Sequence, residues 1–234
     1  MVRGGIAVKL LSIARRLLRM VFRPSNYVPY RLRPERHQVE FRKNKQQIAL
    51  GNVPARYERT AELVPGKRVL DIGSADGTLA LVLAQSKEKV IGAELMRYRH
   101  KTAQEMQRTW AKRGAKTDNV RFVNRGAKRV RPFLREVDTV VLSRALYHLR
   151  DDAFWLFAQI ERIPTITHVA LFGNRDKERE WFDTKGEQPG LGKYLALVAQ
   201  EGMEDILKKH GFDIETSIAS TETEDPIVIG VRRK

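Results

Sequence analysis

The chain contains no cysteine. That excludes disulfides, thiolate nucleophiles and cysteine-held zinc, and it fits a reducing, cytoplasmic setting. Its five histidines, at positions 37, 100, 148, 168 and 210, show no close ligand spacing, so no metal centre is indicated. Long apolar runs are missing too: charges interrupt every stretch of about 18 residues that a membrane-crossing helix needs. There is no Pro/Gly/Ser-rich or low-complexity stretch, so no long disordered region is expected.

Acidic residues are scarce in one place above all. Residues 1–60 hold 14 Lys or Arg against 3 Asp or Glu, a net +11 of the chain's +16, while the remainder has 30 against 25. The N-terminal quarter is therefore the part that seeks a polyanion, an acidic membrane surface or a nucleic acid. A length of 234 residues and a hydrophobic fraction of 42% suit one sizeable α/β domain with an appendage. The expected division is a basic helix and linker over 1–34 and a folded domain over 35–234.

In the appendage, Lys9, Ser12, Arg16, Arg19 and Arg23 recur at helical spacing over residues 6–22, with Ile6, Leu10, Leu17 and Phe22 among the apolar positions between them. This is a basic amphipathic helix. Residues 5–23 suit the surface of an anionic bilayer, peripheral at its inner face, since a wide apolar face with arginines beside it anchors without crossing. Two other readings stay open: a helix packed on the core, and an organellar presequence, since Glu35 is the first acidic residue. Pro24, Pro29 and Pro34 mark a linker, followed by expected helices over 35–49 and 54–63.

Residues 68–72 form a short apolar run containing Asp71. Gly73, Ser74, Ala75, Asp76 and Gly77 follow, then helical periodicity over 78–85. This reads as strand, glycine turn and helix, where glycines let the backbone approach a ligand and the helix amides face it. A second apolar run, 89–93, ends at Glu94, placed to accept ribose hydroxyls. Either a nicotinamide or another adenosine cofactor fits that pair. Dinucleotide binders favour G-x-G-x-x-G, whereas D-x-G-x-x-x-G over Asp71, Gly73 and Gly77 resembles motif I of class I S-adenosylmethionine-dependent methyltransferases.

Helices over 97–113, 127–136 and 151–162 alternate with strands over 119–124, 138–143 and 166–173, which implies a parallel sheet. Segments 212–217 and 227–231, joined by a polar stretch, read as a closing hairpin. The resemblance, covering 66–233, implies a Rossmann-like class I methyltransferase fold: a seven-stranded, mostly parallel sheet with an antiparallel last strand and helices on both faces. It further implies an enzyme using S-adenosyl-L-methionine, with Asp71, Gly73, Ser74 and Gly77 on the methionine side, Glu94 at the ribose and Leu95 at the adenine. Where the family often carries an acid after the third strand, this chain has Asn124, Arg125 and Gly126, so Asn124 or backbone groups take the adenine contact.

The acceptor side belongs outside the carboxyl ends of the fourth and fifth strands. There Ser143, Arg144, Ala145, Leu146, Tyr147, His148 and Leu149 resemble the post-strand-four motif of the tRNA wobble-uridine carboxymethyltransferase family. Trp181, Phe182, Glu201, Gly202 and His210 extend that likeness over 138–213. It implies that Ser143 borders the cofactor and that Tyr147 lies near its reactive group. The family's arginine before the last strand is replaced by Asp225 and Pro226, and Asp225 is expected to repel a carboxylated cofactor, which favours ordinary methyl transfer. His148 is the general-base candidate, with a structural hydrogen-bonding role as its alternative. Trp181 and Asp183 are candidates for a lid or for packing. Lys128, Arg129, Arg131 and Arg135 share one expected helix; phosphate contact is one reading of them, and a solvated face is the better one. Three functions remain: methyl transfer to a small, lipid-linked or glycan acceptor at a membrane surface, RNA modification, or a non-catalytic scaffold.

Overall fold

The computed structural model describes residues 53–175, 192–221 and 224–233. The helices expected over 6–22 and 35–49, the linker between them, and Trp181, Phe182 and Asp183 lie outside these residues.

Helix α1 (Ala55–Leu63) precedes β1 (Arg68–Ile72), α2 (Thr78–Ala84), β2 (Lys89–Ala93), α3 (Arg97–Ala111) and β3 (Val120–Val123). Then come the short α4 (Arg131–Leu134), β4 (Thr139–Ser143), α5 (Leu146–Leu149), α6 (Asp151–Glu161) and β5 (His168–Phe172). The C-terminal part runs through α7 (Gly192–Leu195), α8 (Gln200–Lys209), β6 (Phe212–Ile218) and β7 (Ile227–Arg232). All seven strands form one sheet in the order β3-β2-β1-β4-β5-β7-β6. β7 alone runs opposite to the other six strands.

The sequence pattern explains this arrangement. Strands β1, β2, β4 and β5 are mostly apolar and buried over four consecutive residues each because helices cover both sheet faces, whereas the edge strand β6, after the buried Phe212, alternates exposed and half-buried residues. Two apolar clusters result: one with Leu70, Leu142, Leu156 and Phe157, the other with Val69, Leu81, Met106 and Phe122. They lie on opposite faces, since adjacent strand residues such as Val69 and Leu70 point opposite ways. Arg232 on β7 donates to the carbonyls of Ile160, Glu161, Ile163 and Ile166, tying the last strand to the end of α6.

One expected element is corrected. The helix over 127–136 is instead a 3₁₀ turn, Ala127–Arg129, and the four-residue α4. Pro132 supplies no N–H and its ring collides with the carbonyl four residues back, so it can start a helix but not continue one. The hairpin expected at the C-terminus is present, with Phe212 opposite Arg232 and Ile218 opposite Ile227.

Candidate cofactor and acceptor site

The chain leaves β1 toward β2 and β3, then crosses back to β4 on the other side of β1. This reversal opens a crevice at the carboxyl ends of β1 and β4, the ligand position of open α/β sheets. A cavity of about 540 Å³ occupies it. Asp71, Gly73, Ser74 and Asp76 line it from the glycine loop, Ser143 and Arg144 from β4, and Arg56, Tyr57 and Arg59 from α1.

The loop's backbone leaves no room for larger side chains. Gly73 and Gly77 have φ of +82° and +81°, and a Cβ on Gly77 would lie 2.5 Å from the Phe122 ring. Ala75, between them, also takes a left-handed φ of 49°. So do Arg144 (φ 51°) and Arg150 (φ 52°) beyond β4. Non-glycine residues in that region are strained and gather at functional sites; of these three, Arg144 lines the cavity and Ala75 lies within the glycine loop.

Three carboxylates converge on the loop. Asp76 Oδ1 accepts from the Thr78 amide and hydroxyl at 3.1 and 2.7 Å, which orders the first turn of α2. Glu94 accepts from the Ala75 amide at 3.0 Å and the Met96 amide at 2.7 Å, bracing the glycine loop from the end of β2. Burial pushes the Glu94 carboxyl up, against the pull of Arg99 and of backbone amides. Asp71 is pushed up to about 7 by burial first, then by Glu94 and Asp76. Its Oδ2 and the Ser74 hydroxyl are buried with no hydrogen-bond partner. Buried polar atoms without partners are costly, so this pair suits a ligand that brings a hydrogen-bond donor, a cationic one above all.

Across the cavity, Arg144 holds Asp225 in a two-pronged pair at 2.6 Å for both contacts, and Arg175 lies 4.0 Å from the same carboxylate. Asp225, the residue expected to repel a carboxylated cofactor, thus has its charge matched by Arg144. Arg59 on α1 pairs with Glu224, so α1 and the segment before β7 meet over the cavity. Tyr57 receives a hydrogen bond from Arg56 at 2.9 Å, and burial followed by Asp76 raises its phenol above the ordinary range.

The residues singled out from sequence are thus divided. Asp71, Gly73, Ser74 and Ser143 line the cavity. Gly77, Glu94, Leu95 and Asn124 lie behind or beside the loop. Asn124 donates to the carbonyls of Glu94 and Leu95 at 2.8 and 2.9 Å, fixing the turn into α3. Tyr147 is 4% exposed in the apolar core, its ring 3.9 Å from that of His148, and neither lines the cavity. Sequence reasoning did not single out Tyr57, Asp76 or the Arg144–Asp225 pair as site residues. Asp76 had a local signal, a carboxylate two residues ahead of a helix-starting threonine; the others depend on contacts between distant segments.

Neither a family model nor a curated protein sequence matches the chain. Solved structures do. The magnesium protoporphyrin IX methyltransferase of Synechocystis, with bound S-adenosylhomocysteine, is 18% identical with a TM-score of 0.54 over 81% of this chain and 93% of that one. A TehB-like SAM-dependent methyltransferase from Corynebacterium glutamicum is 15% identical with a TM-score of 0.57, covering 86% of this chain and all of its own. The methyltransferase domain of bacterial CtHen1-C is 12% identical with a TM-score of 0.58, over 76% of this chain and 98% of that domain. Such likenesses define the fold: a Rossmann-like sheet of the class I methyltransferase type.

Proposed function

We propose that this chain is an S-adenosylmethionine-dependent methyltransferase. The observation that carries the proposal is the unpartnered Asp71 Oδ2 and Ser74 hydroxyl of two residues that line the cavity at the glycine loop, beside Asp76. The phosphates of a dinucleotide offer that pair only acceptors, whereas a sulfonium cofactor with a free ammonium brings the missing donors and a positive charge beside Asp71 and Asp76. Asp71 and Ser74 would take the amino-acid end of the cofactor and Glu94 its ribose, since a carboxylate keeps lone pairs after two backbone bonds. The bound cofactor supplies an electrophilic methyl group. The chain's residues hold and align it, and α1 with Tyr57 and the Arg59–Glu224 pair limits water over the cavity. Tyr147 and His148 remain candidates only for indirect roles, through the packing of α5 beside Arg144.

For the acceptor, the described residues favour RNA, because exposed cations without acidic partners flank one sheet edge. The alternative is a small, lipid-linked or glycan acceptor at an anionic membrane surface. It rests on residues 5–23, outside the described region. Among the described residues no helix is long and apolar enough to cross a membrane. Incubation with tritium-labelled S-adenosylmethionine and either total RNA or a lipid extract separates these readings. Label in acid-insoluble RNA is the expected result; label in lipid supports the alternative, and label in neither contradicts methyl transfer to both classes.

A further inference from the structure

The charge of the folded part is strongly polarised. Residues 97–135 carry 13 Lys or Arg and 2 Asp or Glu, a net +11, while residues 61–96 and 136–234 together carry 17 against 23. The near-neutral average of the domain conceals a basic segment as charged as the N-terminal quarter. That segment comprises α3, β3, the 3₁₀ turn and α4, and β3 is an edge of the sheet.

The cations occupy both sides of that edge. Ala103 and Met106 of α3 pack in one apolar cluster, and Ala127, Val130 and Leu134 pack in the other, so α3 and the turn with α4 cover opposite sheet faces. On α3, Arg97, Lys101, Arg108 and Lys112 are exposed and, at 3.6 residues per turn, fall within an arc of about 60° along a helix about 22 Å long. Glu105 is the one acid near that stripe. On the other face Arg129, Arg131 and Arg135 are exposed. None of these seven has an ion-pair partner among the described residues. Their neighbours Arg121 and Lys128 do, with Glu136 and Asp152.

We infer that the β3 edge is a binding surface for the phosphate backbone of RNA, which deepens the RNA reading above. Unpaired cations at such density repel one another and are relieved by a polyanion. The shape of the surface selects among polyanions. A bilayer is flat and meets one sheet face at a time, whereas a nucleic-acid strand can bend around an edge and meet both. Bilayer docking also needs apolar residues to insert. The large apolar residues exposed in the described region are Tyr98 and Phe154. Tyr98 stands beside the α3 stripe, where its ring can stack on an unpaired base, as RNA loops display and duplex DNA does not. The α3 stripe starts with Arg97 just past the carboxyl end of β2, the end of the sheet that carries the glycine loop, and runs from there toward the opposite end.

The test uses the full chain and two triple variants: Lys101→Gln, Arg108→Gln, Lys112→Gln on one face, and Arg129→Gln, Arg131→Gln, Arg135→Gln on the other. Binding of fluorescein-labelled transfer RNA, of duplex DNA of similar length, and of phosphatidylcholine–phosphatidylglycerol vesicles is measured against salt. Each triple variant should lower RNA affinity about tenfold or more and flatten the log-affinity against log-salt slope by about 2, given about 0.7 per lost single-strand contact. RNA affinity within twofold of wild type in both variants overturns the inference. So does loss of vesicle binding with RNA binding kept, or duplex DNA bound as tightly as RNA. Titration of the same variants with S-adenosylhomocysteine should match wild type, showing an intact fold. If wild type fails to bind S-adenosylhomocysteine, methyl transfer is refuted while the RNA affinities still judge the surface.

Discussion

At the carboxyl ends of β1 and β2, three carboxylates are drawn into the protein; along the β3 edge, seven cations stand in solvent. In the first region each atom has an assigned neighbour or lacks one, and burial moves Asp71 to about 7. There a single atom decides the chemistry. In the second region water and salt screen each charge, so no one residue decides anything and the count on a surface is what matters. The contrast separates two kinds of specificity: the crevice selects a small ligand by donors and charge, and the edge selects a macromolecule by its repeated charge.

Breaking the crevice should give the largest effects. Gly77→Ala places a Cβ against Phe122 and Ala103 at a φ of +81°, and overpacking with left-handed strain costs about 2–4 kcal/mol. The expected outcome is a melting temperature lower by many degrees, read by circular dichroism. An unchanged melting temperature would mean that the loop yields freely.

Asp71→Asn sharpens the comparison. The native state holds the Asp71 proton more tightly than the unfolded chain, so wild type loses stability from this group as pH rises from its ordinary 3.8 to about 7. The variant lacks that loss. Its advantage in ligand-free stability should grow over this interval to about 2–4 kcal/mol and level off above it. Denaturant melts at several pH values measure it, and a pH-independent difference would show that Asp71 is ionised throughout. Smallest of all is the expected effect of the edge variants on stability, within about 0.5 kcal/mol each, as exposed cations away from packing predict.

Much of this fold could be read directly. The β1 and β2 boundaries match the apolar runs 68–72 and 89–93 because parallel strands covered on both faces are continuously apolar. The helix expected over 127–136 followed the alternation of strands and helices, whereas Pro132 is the stronger local determinant and leaves only Arg131–Leu134 helical after a 3₁₀ turn. In the site, the glycine turn is local and was legible. Arg144 and Asp225 lie 81 residues apart, and Arg59 meets Glu224 from the far end of the domain, so neither pairing has a signature along the chain. Tyr147 and His148 stood out by their place after β4, but one helical turn there carries Tyr147 into the core. The basic edge was hidden by averaging, since +11 over residues 97–135 cancels against the acidic remainder of the domain.

The central claim is that the crevice holds a cationic adenosine cofactor rather than a dinucleotide. Calorimetric titration of the purified chain with S-adenosylmethionine, S-adenosylhomocysteine and NADH, with Gly73→Arg as the blocked control, tests it most directly. Micromolar binding of the two sulfur cofactors, lost in Gly73→Arg and absent for NADH, is the result expected. Binding of NADH, or no binding of either sulfur cofactor by a folded wild type, would contradict the claim and return the chain to the class of non-catalytic scaffolds or of other adenosine binders.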